Sequence, residues 1–455
     1  MRTLLMSAAA CCFAMSAQAA PSDLIRDVGL AGAIESLESQ PELTPDDRLA
    51  LSGITFLRAI EKAYQTRWQV GYVTDDLPLP LFSNELPVNP EPEMIEGDTL
   101  NALFEVFLAD MAKTDALLAE IPEGSNAAFE LSLPDIWFDI NMNGTRDAEE
   151  DFGKTALQNV LSRWQIREFE RQFEDNPELP NPLQATIRFD EADAHWLRAY
   201  TNVISGVSEL ILAFDPQPEI QKALDLRRAI YDQRLAMAAQ FPGLQKIVEF
   251  SLSIEIPTEE EIAEYQKLYE QLSVDDRNAL GEILVGERNW MSESAHFVDM
   301  AAVVIETLRH QPDQARVAKA QQHLLDMVDH NRNFWRLVIA ETDNDREWIP
   351  NGSQQAALGI EMPQNIDEAW LAVLTDMEKM LKGELLVPFW RYAPGHGIDI
   401  NAWVQNPAPL NVIGWAQGTA TLPYARQGEV MTGDNWIRFE RMVQRQSGLF
   451  VFMLN

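Results

Sequence analysis

Apolar positions along most of this chain recur every three or four residues, the spacing that puts them on one face of an α-helix. From Asp47 to Arg67, Leu49, Leu51, Ile54, Leu57, Ile60 and Ala63 fall near one face, and Thr44 and Asp46 offer capping oxygens just before them. The same period predicts helices over Thr99 to Glu120, Thr155 to Glu174, Asp190 to Asp215, Glu219 to Gln240 and Thr258 to Ser273. It continues over Asp276 to His310, Asp313 to Ala340 and Asp367 to Lys382. Prolines 78, 80, 87, 90 and 92 make Leu77 to Glu96 a loop, and prolines 177, 180 and 182 make another, because proline continues neither a helix nor a central strand.

The expected fold class is therefore mostly α, with packed antiparallel helices. From residue 385 onward the pattern changes. Pro388, Pro394, Gly395, Gly397, Pro407, Pro409, Gly414, Gly418 and Pro423 predict an irregular, loop-rich region, with two short strands near Trp436 to Met442 and Leu449 to Leu454. The organisation expected is a signal peptide at 1–19, N-terminal helices and a Pro-rich loop at 20–97, and a helical region at 98–250. A second helical region at 251–384 and an irregular C-terminal region at 385–455, packed on the helices, complete it.

The first residues carry an export pattern. Arg2 is followed by an apolar run from Leu4 to Met15 and by the small-x-small site Ala17-Gln18-Ala19. That run is far shorter than the roughly 20 apolar residues that span a bilayer. Both cysteines, Cys11 and Cys12, lie inside it, so the exported chain would hold neither disulfide nor thiolate metal site. A periplasmic or extracellular location is the expectation.

Charge narrows the partners. With 35 basic against 71 acidic residues the chain carries a net charge of −36. Such a surface repels nucleic-acid phosphates and anionic lipid heads and attracts cations, so no nucleic acid is expected as a partner. No later segment is apolar enough to be an integral membrane span; Val203 to Phe214 is interrupted by Ser205, Gly206, Ser208 and Glu209.

One segment has the chemistry of a hard-cation site. In Asp139-Ile-Asn141-Met-Asn143-Gly144-Thr145-Arg-Asp147-Ala-Glu-Glu150 the oxygen side chains alternate, so that a curling backbone can bring several to one ion. Gly144 permits the sharp turn. The segment resembles the twelve-residue EF-hand loop, and single loops of dockerin-like exported proteins. The resemblance covers the loop alone. It implies one Ca²⁺ held by the side chains of Asp139, Asn141 and Asn143, the main-chain carbonyl of Thr145, Asp147 through a water, and both oxygens of Glu150. Two departures stand out. Pro134 makes the approach Leu131 to Phe138 extended where an EF-hand has a helix, and Arg146 fills the eighth position, usually apolar. With no second full loop, a lone structural ion is expected.

Weaker constellations remain. Glu341 to Asn351 alternates Asp343, Asp345 and Glu347 without the turn glycine, which leaves open a second ion site or an ordinary loop. His323, Asp326 and His330 share a helix face, and Glu293 precedes His296 by three residues, as in metal-carboxylate bundles. Phe334-Trp335, Phe389-Trp390-Arg391-Tyr392 and Trp403 suit either a ligand cleft or a core. None of the nucleophile-elbow, zincin, P-loop or dinucleotide motifs occurs in the sequence. The functional expectation is an exported calcium-binding helical protein, with a small-molecule or protein ligand at its aromatic C-terminal region. A secreted hydrolase using paired carboxylates and a metal-carboxylate helical bundle are the alternatives.

Overall fold

A computed structural model describes residues 20–71, 86–155, 181–241, 243–252, 258–285, 295–344, 346–359, 362–443, 450–451 and 454. The predicted signal peptide and nearly all of the helix expected over Thr155 to Glu174 lie outside these residues. The described chain is mostly helical, with two small antiparallel sheets. No described helix is long and apolar enough to cross a membrane.

Three helices build the N-terminal core: α1 (Pro21–Glu38), α2 (Pro45–Gln69) and α3 (Thr99–Ala119). Thr44 caps α2 through a reciprocal pair with Asp47, which satisfies two N–H groups that the helix end leaves open. Strand β1 (Ala128–Ser132) then pairs antiparallel with β2 (Thr186–Asp190), Ala128 opposite Asp190, and Phe129 stacks on Phe189 with ring centroids 5.5 Å apart. Leu30, Leu49, Ile54, Ile136, Phe138 and Ile140 are buried together in this core.

Asp190 caps α5 (Glu191–Phe214), again with a reciprocal partner, Asp193. The helix α11 (Gln314–Ala340) runs antiparallel to it, and the pair forms the spine of the molecule. Between α5 and α11 lie α6 (Gln217–Ala238), α7 (Leu244–Leu252), α8 (Glu259–Glu270), α9 (Val274–Val285) and α10 (Ala295–Thr307). Ala238, Leu244, Ile247, Leu280 and Ile283 of this group pack as a separate small core. The helix α12 (Ile366–Lys382) packs on α11, burying Trp370 beside Phe334 and Trp335.

The C-terminal region is more ordered than its composition suggests. Val387–Pro388, His396–Ile398 and Ala425–Gln427 form a three-stranded antiparallel sheet, β3 to β5, with the one-turn helices Ile400–Gln405 and Val412–Gln417 between its last two strands. Two expectations are corrected. Trp436 to Met442 falls within a helix, α13 (Asp434–Met442), and the described residues of the last segment, Phe450, Val451 and Leu454, are helical too. Trp436, Phe439 and Val443 recur at helical spacing, and Phe439 is fully buried against Trp370. Burial on one side only, at that spacing, suits a helix.

Candidate metal loop and acidic clusters

The loop from Asp139 to Glu150 grows out of an extended approach. After β1, a short 3-10 turn at Leu133–Asp135 leads to Trp137, whose indole N–H donates to the Ile25 carbonyl at 2.9 Å. Gly29 is required where that ring crosses α1: its φ is 71°, and a β-carbon there would stand 3.0 Å from the ring. The two ends of the loop are zipped together. Phe138 N–H donates to Glu150 O at 2.9 Å, Phe152 N–H donates to Ile136 O at 3.1 Å, and Trp137 bridges Asp151 antiparallel. A short helix, α4 (Phe152–Thr155), begins at once on the far side.

Helix α2 holds the first loop residue on both sides of its backbone. Glu61 Oε1 accepts from Asp139 N–H at 3.0 Å, and Gln65 Nε2 donates to Asp139 O at 2.7 Å. One turn further, Gln69 Nε2 lies 3.6 Å from Met142 Sδ. Residues 61, 65 and 69 share a helix face, so one side of α2 reads the start of the loop.

Within the loop the polar atoms satisfy one another. Gly144, at φ 72°, donates its N–H to both oxygens of Asp139 at 3.2 Å. Asn141 Oδ1 accepts from Asn143 N–H at 3.0 Å, and Asn143 Oδ1 accepts from Thr145 N–H at 2.7 Å. Glu150 is fully buried: Oε1 takes Ile140 and Asn141 N–H, and Oε2 takes Asp147 N–H. Arg146 leaves the ring to pair with Asp151 at 2.6 Å and to reach Pro134 O at 2.7 Å. The structure thus gathers all six predicted residues, Asp139, Asn141, Asn143, Thr145, Asp147 and Glu150, into one closed turn.

The donor set fits a hard cation in kind. Five of the six residues bring side-chain carboxylate or amide oxygens, and Thr145 brings its carbonyl. The carboxylates do not, however, converge within 4.8 Å of one another as the acidic cluster described below does. Asp147 Oδ2 instead accepts the amide groups of Asn141 at 3.0 Å and Asn143 at 3.3 Å. Those amide hydrogens provide positive charge of the kind a cation would provide.

Burial raises the acids behind the loop. Glu61 is 1% exposed, and its carboxyl is pushed up to about 7 by desolvation, against the pull of Arg58 at 3.2 Å. Its second oxygen has no hydrogen-bond partner. Glu150 is also raised, by desolvation, although three N–H groups oppose the shift.

A second acidic cluster lies at the N-terminus of α5, where Asp190, Glu341 and Glu347 bring carboxylate oxygens within 4.8 Å of one another. The segment after α11 folds back onto β2: Arg188 N–H donates to Arg346 O at 3.1 Å, and Glu347 O accepts from Ala357 N–H. Desolvation raises Asp193 well above the usual range and Asp190 above it, and carries Glu341 to about 7. Burial and mutual repulsion therefore favour the protonated form of each of these three carboxyls. Of the residues singled out in this segment, Glu347 joins the cluster, Asp343 lies 3.8 Å from Arg188, and Asp345 is outside the described residues. The partner that sequence reasoning missed is Asp190, which lies 151 residues before Glu341.

The remaining candidates separate. His323 Nδ1 meets Asn202 Oδ1 at 2.8 Å, Asp326 accepts from Gln322, and His330 faces His195. Glu293 and the His296 side chain are outside the described residues. Phe334, Trp335 and Trp403 are core, whereas Trp390 is 73% exposed with Arg391 stacked 4.2 Å over its ring. A surface depression of about 670 Å³ is lined by Glu105, Asp215, Asp313 and Arg316, and a smaller one by Glu96, Asp98 and Arg228; no acidic-cluster residue borders either. No family model, curated protein or solved structure matches the chain.

Proposed function

We propose that this is an exported protein whose Asp139–Glu150 loop binds one Ca²⁺, and that the ion is structural. Asp139, Asn141, Asn143 and Glu150 would hold it through their side chains, Asp147 through a water, and Thr145 through its carbonyl. The observation that supports this most is the closure of the loop: Glu150, twelfth in the turn, is buried at its centre and reaches backbone N–H groups of the second, third and ninth positions.

A structural role follows from what the loop joins. Its first residue is clamped by Glu61 and Gln65 of α2, Ile140 is part of the N-terminal core, and Trp137 locks onto α1. An ion that binds only the folded loop stabilises that whole junction by mass action, about 2.7 kcal/mol when calcium exceeds its dissociation constant a hundredfold. The test is a thermal melt of chelator-treated protein with and without calcium. The reading predicts a rise in Tm; an unchanged Tm contradicts it. Export is tested by sequencing the N-terminus of the secreted protein, with cleavage after Ala19 expected.

A further inference from the structure

The seam between α5 and α11 carries a polar repeat. His195 faces His330, Asn202 faces His323, and Glu209 faces Arg316. Each pair lies seven residues from the next on both helices, so the polar layers repeat at the heptad spacing of antiparallel packing. Two of the pairs are ordinary hydrogen-bonded or ionic partners. The third is different, because two imidazoles bring the same atom, Nδ1, to 3.3 Å from each other.

We propose that His195 and His330 form a two-histidine site for a borderline divalent cation, Zn²⁺ above all, on the seam between α5 and α11. The separation is the first support. Without a metal the contact is a hydrogen bond from the Nδ1–H of one neutral ring to the Nδ1 lone pair of the other. Two nitrogens bound about 2.05 Å from one tetrahedral zinc stand about 3.3 Å apart. A square-planar ion would hold neighbouring nitrogens at about 2.8 Å, so the observed spacing lies nearer the tetrahedral value.

Protonation and charge permit the binding. Burial disfavours the imidazolium form of both rings, aided by the charge of Arg198 at both and of Arg336 at His195, so His195 is lowered and His330 falls to about 4. Both rings are neutral at pH 7, the form whose lone pair binds a metal. The two guanidiniums that would repel a cation are already answered: Arg198 pairs with Asp115 at 2.8 Å and Arg336 with Glu123 at 3.4 Å. Glu191 adds a further negative charge near His195. Both histidines are only half-buried, which leaves room for water to complete the shell.

The experiment is a zinc titration of calcium-saturated protein, followed by calorimetry. One Zn²⁺ per chain is expected, with affinity falling on the order of tenfold or more in His195→Ala and in His330→Ala. The exposed His396→Ala control should bind zinc as the wild type does. Equal affinity in all variants would overturn the site and assign the zinc to the acidic surface. Should the histidine variants fail to fold, Co²⁺ in the unmodified protein decides: the intense visible band of tetrahedral cobalt supports the site, and the weak spectrum of six-coordinate cobalt overturns it.

Discussion

The carboxylate of Glu61 accepts a hydrogen bond at 3.0 Å from the backbone N–H of Asp139, the first residue of the candidate calcium loop. The bond joins a buried acid of α2 to a loop whose residues 142–149 are exposed. Because folding raises this carboxyl from 4.5 to about 7, the folded state holds its proton more tightly than the unfolded chain. The contribution is therefore fully present below about pH 4.5 and is lost as pH rises through 7. A shift of this size corresponds to about 3 kcal/mol. Calcium-free protein should lose stability between pH 5 and 8, and Glu61→Gln should flatten that slope. Urea unfolding at several pH values checks this.

The cluster at the start of α5 adds a second contribution of the same sign. Glu341 is raised to about 7 by burial and by Asp190 and Glu347. Its stabilising proton is likewise present at acid pH and lost on passing neutrality. Glu341→Gln should leave stability nearly unchanged at pH 5 and increase it at pH 8. Equal effects at both values would contradict a Glu341 carboxyl raised by burial.

The loop is anchored through Ile140, whose side chain is fully buried in the N-terminal core. Ile140→Ala should destabilise the protein by about 2–5 kcal/mol, the usual range for removing a buried aliphatic side chain. A loss of a few tenths, measured by denaturant unfolding, would show the loop to be decoupled from the core.

Along the polar seam, the Glu209 side chain is 5% exposed and depends on Arg316 at 2.9 Å, with Lys319 further away at 3.4 Å. Removing Arg316 leaves a buried carboxylate with a weaker partner. Arg316→Ala should cost roughly 3 kcal/mol. The double variant with Glu209→Gln should recover much of that loss, which a double-mutant cycle measures.

Much of this architecture is legible in the chain itself, and the reason is local. Thr44 with Asp47, and Asp190 with Asp193, mark helix starts because capping is decided within four residues. The loop is legible for the same reason, since all six of its oxygen-bearing residues lie within one turn of twelve. What joins distant segments is not legible. Strands β1 and β2 pair across more than fifty residues, and each is too short for alternation to show. Glu61 and Gln65 look like solvated positions on an amphipathic helix until the fold brings Asp139 beside them. The heptad of His195, Asn202 and Glu209 acquires meaning only once α11 is laid antiparallel against α5. At Trp436 to Met442 the expected strand gives way to a helix whose Phe439 packs against Trp370.

The central claim is tested most directly by calorimetric titration of calcium into chelator-treated protein, beside the Asp139→Ala, Glu150→Ala double variant. The account predicts binding of one calcium per wild-type chain and none in the variant, with both proteins folded by circular dichroism. Calcium binding retained in the variant, or a silent wild type, would contradict it.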